Sequence, residues 1–289
     1  MPLTSKGFPL FLTFDLDAET MWTGRDPAYA SRPILMSQGA YGWKVGSGRV
    51  LDLLDRYGIK ATFFVPGLII DQRETLMEEI LRRGHELAHH SYSHAWILSL
   101  SPEQEREEME KGFQSIKRVS GRAPRGWRSP AAEISSITMP MLVEYGFDYS
   151  SNFFDDDSPY LHDVEGKETK IIELPFRWVL DDAPFFQYSI VLPGRTMQAP
   201  SALLEAWKGE FDVLYAEDRM MMIGMHPEMI GQPSRIKALE GLIEHALKHP
   251  NVWIGRCDEI VGDMRPALER ARREARGGIK AEIRPEVRP

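Results

Sequence analysis

The chain has 289 residues, with 43 Asp and Glu against 35 Lys and Arg, a formal net charge of −8. That balance argues against a nucleic-acid or membrane-surface binder, whose footprint would be basic. Hydrophobic residues make up 43% and charged ones 27%, and no run approaches the ~18 apolar residues of a membrane span, so the composition fits a soluble globular chain with a sizeable core.

Short apolar runs bounded by turn residues alternate with stretches of helical period, the pattern of strands buried by crossover helices. This points to a parallel α/β sheet or barrel. The run from Phe8 to Phe14 follows a single Lys, lacks a small-residue cleavage site and leads straight into Asp15 and Asp17. It reads as a strand, not a signal peptide, and a cytoplasmic protein is expected. Strands are predicted from Leu10 to Phe14, Ala61 to Val65, Glu86 to Ala88, Ile171 to Leu174, Met221 to Met225 and Val252 to Gly255. Helices are predicted from Val50 to Tyr57 and from Glu74 to Arg83, with Gly58 and Gly84 as C-cap glycines. A long charged helix begins at Pro102, with Ser101 as N-cap and Gln104 completing a capping box, and runs to Val119; another spans Ile236 to Leu247. Two segments fit neither period and read as long loops, Ala18 to Trp43 and Phe153 to Lys170. The single cysteine, Cys257, excludes an intrachain disulfide framework and reads as a buried thiol.

From Arg265 onward eight Lys or Arg face four Asp or Glu. A single catalytic domain is therefore expected over residues 1–264. A charged surface helix to about Arg276 and an extended arm follow over 265–289, and a solvated helix or a subunit contact explains that charge equally well.

Four of the eight histidines, His85, His89, His90 and His94, fall within ten residues. His90 and His94 are four apart, so on one helical turn both imidazoles project from the same side and can converge on a cation. Zinc would need a further ligand, and Asp15-Leu16-Asp17 supplies two carboxylates on one side of a strand as it ends. Arg128, in Arg128-Ser129-Pro130, could pair with one of those aspartates, and the apolar strand ending at Met225 delivers His226 to the same rim. Taken alone, these residues leave open surface histidines, an ordinary surface arginine and a structural His226.

Read in order, Thr13-Phe14-Asp15-Leu16-Asp17, Gly84-His85-Glu86 leading to His90-Ser91-Tyr92-Ser93-His94, Arg128-Ser129-Pro130 and the strand into His226 resemble the motifs of the polysaccharide deacetylase (NodB-homology, carbohydrate esterase) family, over residues 8–262. The resemblance implies a distorted, incomplete (β/α) barrel with its site at the C-terminal ends of the strands. It implies that Asp17, His90 and His94 bind one divalent metal, zinc, and that Asp15 is the general base. His226 would protonate the leaving nitrogen, Arg128 would hold Asp15, and the backbone N–H of Ala131 would contact the oxyanion.

Departures bear on substrate. Leu16 separates two aspartates that are adjacent in the common motif, and Ala131 and Ala132 precede Glu133 where sugar-processing members carry an aromatic residue. The stretch from His226-Pro227 to Gly231, Pro233 and Arg235 resembles a signature of the allantoinase-like, cyclic-imide-hydrolysing branch, which also includes cytoplasmic proteins known as peptidoglycan deacetylases. The segment Trp178-Val179-Leu180-Asp181-Asp182 resembles that branch too, with Asp181 and Asp182 approaching the pocket from a loop or forming a simple turn. Trp22 either walls the pocket or packs under the first loop. Glu86 and His85 are expected to orient the metal ligands from behind, His89 to pack, Met220 to Met222 to be buried, and Glu105 to Glu110 to be a solvated face.

The expectation is a metal-dependent hydrolase of non-peptide carbon–nitrogen bonds. It would act on an N-acetylated sugar or oligosaccharide, or on a small soluble amide or cyclic imide. An inactive binding module on the same fold is the alternative from another class, and the complete Asp17, His90 and His94 set speaks against a metal-independent enzyme. A homo-oligomer is expected, tetrameric as in that branch, with no nucleic-acid or membrane partner.

Overall fold

The computed structural model describes residues 3–282. Strand β1 (Phe8–Asp15) is buried along its whole length, as a central strand covered on both faces must be. One edge of β1 pairs in parallel with β8 (Met221–Met225), Leu10 opposite Met221 and Phe14 opposite Met225. The other edge is divided. β9 (Val252–Gly255) pairs with Phe8 to Phe11, and β2 (Thr62–Val65) takes over from Thr13 to Asp15. From β2 the sheet continues in parallel through β3 (Glu86–His89), β4 (Gly126–Trp127), β5 (Tyr149–Ser150) and β7 (Lys167–Glu173), ending at the antiparallel edge strand β6 (Tyr160–Val164). Among the described residues no pairing joins β6 to β8, so the curled sheet stays open, the incomplete barrel expected from the sequence.

All six predicted strands form, and the predicted helices are found at Ser47–Arg56, Glu74–Arg82, Pro102–Ser120 and Ile236–Ala246. Gly58 and Gly84 have φ of 65° and 86°, the left-handed geometry that ends a helix, and Ser101 and Gln104 make the full capping box. Differences fall where burial is partial. Residues 153–170, expected as a loop, contain β6 and the start of β7 around a Glu165-Gly166 turn with positive φ at both positions. A charged, half-exposed hairpin carries little apolar alternation to read. The basic C-terminal region explains its charge here. One helix, Cys257–Glu282, runs through position 265 and past Arg276, and the remainder of the expected arm, 283–289, lies outside the described residues. Its Arg265 and Arg272 donate to the carbonyls of Lys170, Thr169 and His162, and Arg276 to Asp163 and Glu168, so the helix covers the hairpin. Cys257 is buried, and no described helix is long and apolar enough to cross a membrane.

Residues 18–43 are helical, not a loop: Thr20–Thr23, a 3-10 turn at Pro27–Ser31, Pro33–Tyr41, then a π turn at Gly42–Gly46 leading into Ser47–Arg56. Glycine makes the docking of this segment possible. A Cβ on Gly24 would lie 2.1 Å from the His94 carbonyl oxygen, and one on Gly46 2.0 Å from the Pro227 carbonyl oxygen. The segment therefore rests backbone against backbone on the two loops that carry His94 and His226.

Replacing Gly24 by Ala should cost about 1–3 kcal/mol of stability through overpacking and weaken metal binding by about tenfold. Gly48→Ala, in open space, should leave both unchanged or slightly improved. Thermal denaturation and a zinc titration of the two variants check this.

Candidate active site

Parallel strands put their C-terminal ends on one rim, and the sequence places a polar residue just beyond five of them. Asp15 ends β1 and Asp17 follows two residues on; His90 follows β3, Arg128 β4, Ser151 β5 and His226 β8. They surround a pocket of about 540 Å³ whose walls include Trp96, Phe176, Trp178, Ala131, Ala132, Glu133 and Asp181.

At its floor, His90 Nε2 is 3.3 Å from Asp17 Oδ1 and His94 Nε2 is 3.2 Å from Asp17 Oδ2, all three side chains buried. His90 Nδ1 lies 2.7 Å from the Arg128 carbonyl oxygen. A carbonyl only accepts, so Nδ1 carries a proton, and in the neutral ring Nε2 is then the nitrogen whose lone pair a cation would take. Asp17 Oδ1, though buried, makes no hydrogen bond of good geometry. Burial opposes ionisation of Asp17, but His94 and His90 outweigh it and hold the carboxyl well below its usual range. One carboxylate oxygen and two imidazole nitrogens lying within 4.8 Å of one another form a donor set suited to a borderline cation such as zinc.

The two histidines converge by a different route from the expected helical turn. The chain after β3 is irregular, with left-handed φ at Ser91 (64°) and His94 (61°), and the ring centroids sit 5.0 Å apart. Glu108 ties this loop down. From the helix Pro102–Ser120 its carboxylate accepts from Tyr92 N at 3.0 Å, Ser93 N at 2.7 Å and the hydroxyls of Ser91 and Ser93. His89 packs, as expected, with Nε2 donating to Met109 O and Nδ1 accepting from Ser91 N. The face from Glu105 to Glu110 is thus only partly solvated: Glu105 is buried and bonded to Ser135 and Thr138.

On one side of Asp17, Arg128 donates from Nη1 to Asp15 Oδ1 at 2.7 Å and to Thr13 Oγ1 at 2.8 Å, and from Nη2 to Ser151 Oγ at 2.9 Å. Its guanidinium lies over Phe64, 4.2 Å from the ring centroid. On the other side, His226 Nε2 is 3.7 Å from Asp17 Oδ2, and His226 Nδ1 donates to Asp182 Oδ1 at 2.7 Å. Burial works against a charged His226, yet Asp182 and Asp181 raise it well above the usual imidazole range. Asp181 itself is pushed up to about 7, chiefly by burial. The pair is no simple turn: Asp181 bridges to Gly224 of β8, and Asp182 N donates to Gly224 O. Glu228 accepts from Ala18 N at 3.1 Å; burial and the nearby Asp17 raise its carboxyl well above the ordinary value.

Three expected positions lie elsewhere. Trp22 is buried and lines a neighbouring cavity, not the pocket of the histidines. Glu86 touches no ligand: it opens β3, a four-residue strand whose length, about 13 Å, separates it from His90. It accepts from Thr62, Tyr149 and Asp258 N at the opposite end of the sheet, where burial raises it to about 7. His85 accepts from Ala61 N there, and burial lowers it to about 4. Sequence reasoning missed Glu108, Glu228 and Ser151. Glu108 lies hidden in a charge run, while Glu228 sits inside the quoted stretch from His226 to Arg235.

The sequence profile described as polysaccharide deacetylase matches residues 40–150. The chain is 30% identical over 274 residues to the peptidoglycan deacetylase of Helicobacter pylori, covering 86% of this chain and 93% of that protein. A solved structure from Mycobacterium smegmatis, assigned to the polysaccharide deacetylases, is 32% identical and superposes with a TM-score of 0.85 over 90% of each chain. The PuuE allantoinase structure shares the fold at 24% identity, with a TM-score of 0.78 over 90% of this chain and 91% of that one.

Glu108→Ala should release the loop between His90 and His94 and lower zinc affinity about 10- to 100-fold with the fold retained, as zinc titration and circular dichroism would show. Asp182→Asn removes the carboxylate that most raises His226. The protonated imidazole is present below its pKa, so a step needing that proton should lose its alkaline limb at lower pH than wild type, which a pH–rate profile measures.

Proposed function

The chain belongs to the polysaccharide deacetylase family, hydrolases of amide carbon–nitrogen bonds, and we propose that it removes N-acetyl groups from a saccharide with one divalent metal held by Asp17, His90 and His94. The observation that carries this reading is the donor set itself. A buried carboxylate oxygen without a hydrogen bond faces two imidazole nitrogens, between an arginine-held Asp15 and an aspartate-held His226. Bound there, zinc would polarise the amide carbonyl and make water acidic near neutral pH.

The protein's own groups divide the remaining work. Asp15 keeps Oδ1 on Arg128, which leaves Oδ2, 4.0 Å from His90 Nε2, to take the proton as the water oxygen bonds to the carbonyl carbon. His226 Nε2 gives its proton to the amine nitrogen as the carbon–nitrogen bond breaks, while Asp182 fixes the ring and stabilises the imidazolium. Ala131 and Ala132, with φ of 55° and 56°, set peptide units in the wall beside the reacting carbonyl; the N–H of Ala132 is already bonded to Ser129 O, so that of Ala131 is the oxyanion donor in this reading. A second reading, hydrolysis of a small cyclic amide, is favoured by one feature. The stretch from His226 to Arg235 contains a short helix, Pro227–Ile230, and helps to wall a second, smaller cavity beside the pocket.

Protein purified without added metal should contain about one zinc per chain. Chelation should abolish deacetylation of N-acetylated oligosaccharides and zinc should restore it. His94→Ala should lose both metal and turnover, whereas Asp15→Asn should keep metal and lose about 10²- to 10⁴-fold in kcat. Allantoin and simple cyclic imides in the same panel choose between the two readings. Turnover indifferent to chelation and to His94→Ala would refute the metal role, and no turnover of any substrate would leave a binding module.

A further inference from the structure

Next to the metal pocket, sharing Met21 and Gln187 with its wall, lies a second cavity of about 360 Å³. Arg235 lines it and is only 9% exposed. Its guanidinium lies over the Phe186 ring, 4.4 Å from the centroid, and its one polar side-chain contact among the described residues is Nη2 to Met197 Sδ at 3.6 Å. No described carboxylate comes within ion-pair distance of it. This is unusual, because a buried guanidinium is costly unless paired, as Arg128 is with Asp15. Glu228 shares the wall but turns Oε1 to Ala18 N. Tyr41, also on the wall, accepts from Arg49 and so keeps its own hydroxyl hydrogen to donate. Around these groups the lining mixes apolar side chains, Met21, Trp22, Phe186, Met197 and Met229, with the amides of Gln38, Gln187 and Gln232.

We propose that this cavity is a subsite for a carboxylate carried by the substrate, with Arg235 as its counter-ion. The inference rests on the amide-hydrolase reading and narrows it to acidic substrates. A single guanidinium presents two parallel N–H donors that match a planar carboxylate, whereas a phosphate dianion would call for more cations than one. Apolar side chains interspersed with uncharged amides suit the carbon frame and polar substituents of a small organic acid. Arg25 and Arg195 on the wall of the metal pocket, neither paired with a described carboxylate, add to the positive field that an acid would meet on entry.

Binding is measured by titration calorimetry on the zinc-loaded full chain with two matched pairs: N-acetylmuramic acid with its methyl ester, and succinamate with succinamide. Wild type should bind at least one acid about tenfold or more tightly than its neutral partner. Arg235→Gln should reduce that preference to about twofold or less, and Arg235→Lys should restore part of it, which separates recognition from misfolding. No preference for the acid in either pair, or a preference that survives Arg235→Gln, overturns the proposal. The titrations are repeated on His94→Ala. Acid preference there without turnover in wild type would sink the hydrolase and leave the subsite, whereas turnover without preference would do the reverse.

Discussion

Five carboxyl groups, those of Asp15, Asp17, Asp181, Asp182 and Glu228, are buried at one end of one sheet, and among the described residues Arg128 is the one arginine in ion-pair contact with any of them. Taking a carboxylate out of water costs several kcal/mol unless the charge is paired or neutralised. Each group meets that cost differently. Asp15 has Arg128; Asp182 has His226; Asp181 and Glu228 are shifted towards the neutral acid. Asp17 has only ring nitrogens, which carry positive charge only when the imidazoles are protonated. In the proposed reading a metal ion supplies the cation at that corner.

Holding those groups within reach of one another is a backbone problem. Five non-glycine residues with left-handed φ, Ala18, Ser91, His94, Ala131 and Ala132, sit on this rim. Each costs of order 1 kcal/mol and persists only where neighbours over-determine it. The neighbours can be named. Glu108 spends its carboxylate on the loop at Ser91 to Ser93, Glu228 receives Ala18 N, and Gly24 and Gly46 let the helical segment after β1 lie on the carbonyls of His94 and Pro227. Strain at the rim is thus compensated by contacts from three separate helical segments.

Much of this arrangement was legible in the sequence, for a physical reason. Strand ends fix where the next side chain can be, so Asp15, Asp17 and His226, each following a buried strand, could be brought to one rim from apolar runs alone, whereas Arg128 follows the two-residue strand Gly126–Trp127, which no apolar run announces. What the sequence concealed depends on partners far along the chain. His90 and His94 keep helical spacing but reach each other through two left-handed residues, which the spacing does not reveal. Glu108 looks like its solvated neighbours Glu107 and Glu110 and differs only in what the His90 loop presents to it. Glu86, adjacent in the motif to the histidines, lies a strand's length away, because proximity in sequence along a β-strand means distance along the barrel axis.

The polarity of the site fixes which half of an amide faces which wall. Asp17 turns Oδ1 to His90 and the Asp15 side, and Oδ2 to His94 and His226. Under the proposed mechanism a proton would leave the water on the Asp15 side and arrive at nitrogen on the His226 side, which would turn the acyl carbon towards β1 and β4 and the amine towards β8. The residues that follow His226 lead through the short helix Pro227–Ile230 to Arg235. On that reading the leaving amine, and whatever is attached to it, would be the part of the substrate nearer the unpaired guanidinium. A small acyl group needs little room beside Ala131 and Ala132, while a larger amine fragment would have the second cavity into which the proposed acidic substituent could extend. Proton delivery and charge recognition would then share one stretch of chain, and a substrate group held by Arg235 would also set the distance from His226 to the nitrogen it protonates.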